Sequence, residues 1–481
     1  MAGALASATA TAGCGIDPRT PNVASLYAHT RQLDAAKRRP LITIPGILGS
    51  RLRQVDLSGG PGRFVWGGER RLSLNPFDSA QDAQALALPI GQGTEPLEWL
   101  VDDIRPDGVL RRARADILGE TVEEEVYDGL VAVLNTAGYE FSRTVEEEVA
   151  RRGENPGSLE YPYDWRRDIV EAARGLDLFV ERKARQVERV RQARYGRTLE
   201  AEGLRFDFVA HSMGSLVLRY WLMYGGEDLP ADGTLPELTW AGTRRAGTVI
   251  IVAPPNFGSV SSLRALIEGR SFGPLQPEYP PALLGTHPAL YQLMSRDRHM
   301  RLRVGSADGK VPGSLYDVAT WEENGWGMFD TAEGPILDML LGEGGRPDNR
   351  LRRVRGHVAR CLARAEHLHR ALDRDALGQP EDFDPHLVVG TGLDTPATGI
   401  LGAESRRIED LTLEEGDGVV LRASALMDEI GSGAPARPGR VALRYGTTLL
   451  LPGEHVDLTR GAVFSDNLLH WLTVGAPVRR S

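Results

Sequence analysis

Three segments of this chain carry residue types that could perform acyl transfer. The first is Ala210-His211-Ser212-Met213-Gly214, a serine among small neighbours. It follows an apolar run at 204–210 and precedes a helical pattern through Leu216, Leu218, Tyr220 and Leu222. A serine at a strand-to-helix turn fits the nucleophile elbow, where a sharp bend lifts the hydroxyl above a sheet edge and demands small residues beside it. Here Ala210 stands where that motif usually has glycine. The plainer alternative is a serine capping an ordinary helix.

A serine hydroxyl is a poor nucleophile without a base, normally a histidine steadied by a carboxylate. In an elbow-bearing fold the chain order is serine, acid, histidine. Two histidines lie late enough. His470 sits inside a closing amphipathic pattern beside Leu468, Leu469 and Leu472, where a packing role suits it. His455 follows an apolar run at 447–451 in the loop Pro452-Gly453-Glu454, and is the expected base. Asp417, between Gly416 and Gly418, is the expected acid; Asp394 and Asp384 compete from neighbouring loops, and Asp-Gly is also a common turn pair. Acyl transfer further needs donors for the tetrahedral oxyanion. The N–H of Met213 is one candidate. The N–H of Ile47, in Pro45-Gly46-Ile47-Leu48-Gly49-Ser50, is the other.

The elements that must position these residues follow from periodicity. Residues 41–44 read as a buried strand ending at Pro45-Gly46, and 159–165 as a short strand leaving the sheet. Residues 204–210 and 247–253 read as strands flanking the helix after Ser212, a βαβ unit and hence a parallel sheet. Helices are expected at 127–137, 168–194 and 462–474, and a further strand at 386–390. Residues 51–110 are rich in Gly, Pro and Asp without sustained periodicity, which suggests a lid-like excursion. Residues 260–380 read as a helical cap whose basic stretch at 350–364 looks like a solvated face. The expected fold class is therefore α/β: an α/β-hydrolase with a mostly parallel sheet, helices on both faces, and lid and cap insertions. The expected organisation is a tail at 1–39 and one catalytic domain at 40–481.

Composition narrows the function classes. With 41% hydrophobic and 25% charged residues the chain can bury a large core. A formal net charge of −10 offers no basic surplus for phosphate neutralisation, which argues against nucleic acid as a partner. No run of about 18 apolar residues is present to span a bilayer. His367 and His369, two apart on a helical pattern, do not share a face, and no metal or cofactor is implied. The segment ending Thr11-Ala12-Gly13-Cys14 has small residues before a cysteine, as at a bacterial lipoprotein cleavage site, but lacks the basic and apolar regions of a signal peptide. Two readings stand: a truncated export signal with anchoring through Cys14, or a small-residue tail on a cytoplasmic protein.

Taken together, Ile44-Pro45-Gly46-Ile47-Leu48-Gly49-Ser50, Tyr163-Asp164-Trp165-Arg166, the Ser212 elbow, Pro288-Ala289-Leu290-Tyr291-Gln292-Leu293 and Gly416-Asp417-Gly418-Val419 resemble the lecithin:cholesterol acyltransferase family, with its phospholipid:diacylglycerol acyltransferases and lysosomal phospholipase A. The matches run in order from about residue 40 to 460, and Tyr-Asp-Trp-Arg is the most distinctive. The resemblance implies an acyl-enzyme route. Ser212 would take an acyl chain from a phospholipid or other acyl-ester lipid at a membrane surface, and an alcohol or water would accept it. It also implies that Trp66 belongs to a lid over the acyl site; the alternative is a tryptophan packed on the core. Ser215 where many members have Gly, Val419 where Thr is usual, and the missing cysteine pairs leave the acceptor and the lid open. Two rival functions remain: a general carboxylesterase or lipase on the same three residues, and a non-catalytic lipid-binding relic.

Overall fold

The computed structural model describes residues 39–473, apart from 57–59, 61, 69, 72–83, 118–119, 140–156, 196–202, 272–277, 297–300, 343–346, 375, 377, 406 and 428–442. Cys14 lies outside the described residues, as does the rest of the expected tail up to residue 38.

Six strands form the central sheet: β1 (Leu41–Ile44), β2 (Ser158–Glu160), β3 (Phe206–His211), β4 (Ala246–Val252), β5 (His386–Thr391) and β6 (Thr447–Pro452). Their order is β6-β5-β4-β3-β1-β2, and every pairing is parallel. Strands covered on both faces must be apolar at successive positions, because side chains alternate between faces. Ile42, Phe208, Ile251, Leu387 and Val389 enter one core, while Leu41, Val209, Ile250 and Val388 enter the other.

Each core has its own helices. Helices α1 (Asp128–Thr136) and, at the end of the described chain, α4 (Ala462–Thr473) bring Leu130, Leu134, Phe464, Leu468 and Leu469 to the second core. Helices α2 (Ile169–Tyr195) and α3 (Met213–Tyr224) cover the opposite face with Val170, Leu176, Val180, Leu216 and Leu222. This is the α/β-hydrolase arrangement, a parallel sheet with helices on both faces.

Two expectations need correction. The excursion at 51–110 contains a three-stranded antiparallel sheet formed by Ser50–Gln54, Arg63–Trp66 and Ile104–Val109. The alternation is present in Ser50-Arg51-Leu52-Arg53, with Ser50 and Leu52 buried and the arginines turned outward, but it is too short and too polar to stand out. The basic stretch at 350–364 lies in the helix Pro347–Leu372, and its cations are engaged in structure. Arg353 and Arg360 donate to the carbonyls of Gly91 and Gly93, and Arg364 pairs with Asp168 and Asp228. These contacts tie the 260–380 insertion to both the excursion and the start of α2, so this face of the helix is not simply solvated.

Candidate active site

The site sits at the carboxyl ends of the strands, where connections leave a parallel sheet and side chains from several segments converge. Ser212 follows β3 directly. Its φ of 53° is left-handed, costly for a residue with a Cβ, and turns the chain abruptly into α3. The neighbours explain the small residues. A Cβ at Gly214 would lie 2.4 Å from the Pro45 carbonyl oxygen, and one at Gly46 would lie 2.8 Å from Cβ of Ser212. Ser215 is fully buried and donates its hydroxyl to the carbonyls of Ala210 and Val252, so its polarity at a glycine-favoured position is satisfied.

His455 and Asp417 arrive on loops. His455 follows β6, with Nε2 2.8 Å from Ser212 Oγ and Nδ1 2.7 Å from Asp417 Oδ2. Asp417 follows a hairpin of Leu393–Leu401 and Ile408–Gly416 that leaves β5 and returns over it; a Cβ at Gly390 in β5 would lie 2.4 Å from Cβ of Asp417. The other carboxylate oxygen accepts from the N–H groups of Val420 and Val419 at 2.7 and 3.0 Å, and the Asp417 carbonyl accepts from the His455 N–H at 3.0 Å. Burial opposes ionisation of Asp417, but the charge and hydrogen bond of His455 with the two N–H donors outweigh it and hold the carboxyl below the usual range. Ser212, His455 and Asp417 are thus one hydrogen-bonded chain in a buried setting, able to move a proton off a hydroxyl and stabilise the resulting imidazolium. The competitors lie elsewhere: Asp384 pairs with Arg444, and Asp394 pairs in register with Glu415 across the hairpin.

The turn Pro45–Ser50 faces Ser212 from β1. Four aromatic side chains grip its backbone by their polar tips. Tyr163 donates to the Pro45 carbonyl at 2.8 Å, and Tyr127 accepts from the Gly46 N–H at 2.8 Å. Trp66 donates to the Leu48 carbonyl at 2.8 Å, and Trp165 to the Ser50 carbonyl at 3.1 Å. Leu48 has a φ of 63°, a left-handed backbone uncommon for a residue with a Cβ. Among the described residues, the N–H groups of Ile47 and Met213 have no acceptor within the chain. Trp66 lies in the strand Arg63–Trp66, packed edge-on against Trp165 and Tyr279 with ring centres 5.5 and 6.5 Å away. The next residue of the Tyr-Asp-Trp-Arg segment, Arg166, is fully buried and pairs with Asp164 and Asp102 while also reaching the Leu86 carbonyl.

His367 and His369 have carbonyl partners, on Thr234 and Gln292. No cluster of potential metal ligands occurs among the described residues. The sequence reading had no means of finding Tyr127 or the partners of His211. Tyr127 stands 84 residues before His211, and their hydroxyl-to-Nδ1 distance is 2.8 Å.

Comparison with known proteins supports the class that fold and geometry define. Residues 114–280 match the family model described as lecithin:cholesterol acyltransferase, a stretch that includes Tyr163-Asp164-Trp165-Arg166 and the Ser212 elbow. That match supports an LCAT-like family for this chain, and with it acyl-ester hydrolysis or acyl transfer on lipid substrates as the class of activity. Among solved structures the chain is similar to one described as the crystal structure of the Tle4–Tli4 complex. The match has 15% identity and a TM-score of 0.51, and covers 92% of this chain and 100% of that one, a likeness of fold. No curated protein matches.

Proposed function

We propose that this protein transfers a fatty acyl chain from a phospholipid or similar lipid ester, through an acyl-enzyme on Ser212, to an alcohol or to water. The observation that carries the reading is the buried hydrogen-bonded chain from Ser212 Oγ through His455 to Asp417. Ser212 Oγ attacks the ester carbonyl as His455 Nε2 takes its proton. Asp417 steadies the imidazolium through Nδ1–H. The N–H groups of Met213 and Ile47 receive the oxyanion of the tetrahedral intermediate. Collapse breaks the bond to the leaving alcohol, which takes the proton from His455. An incoming alcohol or water then gives its proton to His455 and attacks the acyl-serine, releasing ester or free acid. In this reading residues 40–481 act as one catalytic domain, and Trp66 borders the acyl site.

The test uses phosphatidylcholine vesicles with a labelled acyl chain, with and without a long-chain alcohol, comparing wild type with Ser212→Ala. Label in a new ester that disappears in the variant supports transfer; label only in free fatty acid supports a phospholipase. Equal inertness of both proteins on vesicles, with turnover of short soluble esters by wild type alone, would replace the lipid reading with a general carboxylesterase. Failure of Ser212 to react with a fluorophosphonate would favour a non-catalytic relic.

A further inference from the structure

We propose that Tyr127 and His211 form a positioning brace that fixes the turn Pro45–Ser50, which carries the oxyanion donor Ile47, relative to the proton-shuttling His455. The proposal rests on the reading of Ser212 as nucleophile and adds two residues that touch neither substrate nor the transferred proton.

The hydrogen-bond directions are forced. Nε2 of His211 lies 3.0 Å from the backbone carbonyl of His455. A carbonyl only accepts, so the His211 proton resides on Nε2. Nδ1 is then an acceptor, and its partner, the Tyr127 hydroxyl at 2.8 Å, must donate to it. The same hydroxyl oxygen accepts from the Gly46 N–H at 2.8 Å. One path therefore runs from the Gly46 N–H through Tyr127 and His211 to the His455 carbonyl, beneath Ser212, with no rotor free to reverse it. Packing reinforces it. A Cβ at Gly49 would meet Cε2 of Tyr127 at 2.9 Å, so the turn is wedged between the Tyr127 ring and Ser212. The ring centres of His211 and His455 are 4.9 Å apart.

Both groups are buried. Burial, and after it the charge on His455, push His211 down to about 3, and burial pushes the Tyr127 hydroxyl up. The brace therefore stays neutral while His455 carries its transient proton, and it does not compete with Asp417 for that charge. A structural tyrosine needs only to fill space. This one joins the two halves of the site through a single oxygen, and the consequence is a requirement on geometry at the transition state more than on substrate affinity.

The experiment compares wild type, Tyr127→Phe, His211→Phe and the double variant on 4-nitrophenyl butyrate, with Ser212→Ala as control. Tyr127→Phe removes one oxygen and keeps the ring. The expected result is a fall in kcat of roughly 10- to 100-fold with KM within about twofold, and a double variant no worse than the poorer single one, because both break one path. A kcat within about twofold of wild type, or fully additive losses, overturns the brace. Nitrogen NMR of the wild-type imidazoles provides a readout independent of any variant's folding. A neutral His211 with its proton on Nε2 between pH 5 and 8 is expected, and an Nδ1–H tautomer or an imidazolium in that range overturns the proposal. Activity that survives in Ser212→Ala would sink the nucleophile assignment instead, so the two failures are distinguishable.

Discussion

The two sides of Ser212 are built by different means. On the acid side, Asp417 is held mainly by its own neighbourhood: the N–H groups of Val419 and Val420 on one oxygen, its carbonyl on the His455 N–H, and the Thr395 hydroxyl accepting from the Gly418 N–H at 2.8 Å. On the turn side, Pro45–Ser50 makes one backbone bond within itself, from the Gly49 N–H to the Gly46 carbonyl, and is otherwise held from outside: by aromatic side chains from residues 66, 127, 163 and 165, by the Leu110 N–H on the Gly49 carbonyl, and by the Tyr163 N–H on the Ser50 hydroxyl. The acid side is over-determined locally. The turn side depends on the rest of the fold arriving correctly. Damage to the first should abolish chemistry, whereas damage to the second should grade it.

The comparison can be broken in order of expected effect. Ser212→Ala should lower ester turnover at least ~10⁴-fold and abolish fluorophosphonate labelling, since the nucleophile itself is lost. Asp417→Asn should cost about 10³- to 10⁴-fold in kcat with the fold intact, because the amide favours the wrong imidazole tautomer; a loss under tenfold would mean Asp417 is a bystander. Gly46→Ala should cost on the order of 10²-fold, as the new methyl must displace either Ser212 or the turn, and a displacement of about 1 Å is enough for that loss. Trp66→Phe, which removes the bond to the Leu48 carbonyl and trims the packing on Trp165 and Tyr279, should cost roughly two- to tenfold in kcat, one of four aromatic grips being lost. If Trp66→Phe hurts more than Asp417→Asn, the two sides have been ranked the wrong way round.

Acid should also separate the two sides. Burial holds His211 and His287 at about 3 and about 4, far below the ordinary 6.5. Their folded values are depressed, so in that window the unfolded chain binds more protons and stability falls as pH drops from 6.5 toward 4. His287 packs edge-on against Trp165 with ring centres 5.8 Å apart, and its Nε2 lies 2.8 Å from the Leu86 carbonyl and donates to it, so its proton is on Nε2 as well. Asp417 is also depressed, but from the carboxylate range, and its contribution persists until pH falls through that lower value. Calorimetry from pH 7 to 5 should show the melting temperature falling by several degrees. A flat profile would mean these histidines accept protons without opening the fold.

The sequence was most informative where function is written locally. Strand, small residues, serine and helix are contiguous around Ser212, and the order of the later Asp417 and His455 placed them after strands, where the structure brings all three within hydrogen-bond reach. The strand, helix and strand at 204–253 likewise carried the parallel sheet, whose strands send Ile42 and Phe208 to one core and Leu41 and Val209 to the other. What stayed hidden has partners at long range. Tyr127 and His211 meet across 84 residues, and Arg353 and Arg360 find backbone carbonyls more than 260 residues earlier, with no periodicity to announce either. A carbonyl acceptor leaves no mark in a sequence, since every residue has one. The arginines of 350–364 therefore looked solvated, and the bonds from Trp66, Tyr163 and Trp165 to carbonyls of the turn left no sign in the sequence.

Arg166 sets a mechanical limit on the excursion. Its guanidinium is shared by Asp164, Asp102 and the Leu86 carbonyl with no exposure to solvent. Pulling residues 86–102 away would break the Asp102 pair and the Leu86 bond and leave the buried guanidinium with Asp164 as its one remaining partner, an uphill step because those donors lose their acceptors in a buried setting. That arm is riveted to the frame. The strand Arg63–Trp66 has a different tie: any displacement of it would be felt at the turn Pro45–Ser50 through the bond from Trp66 to the Leu48 carbonyl.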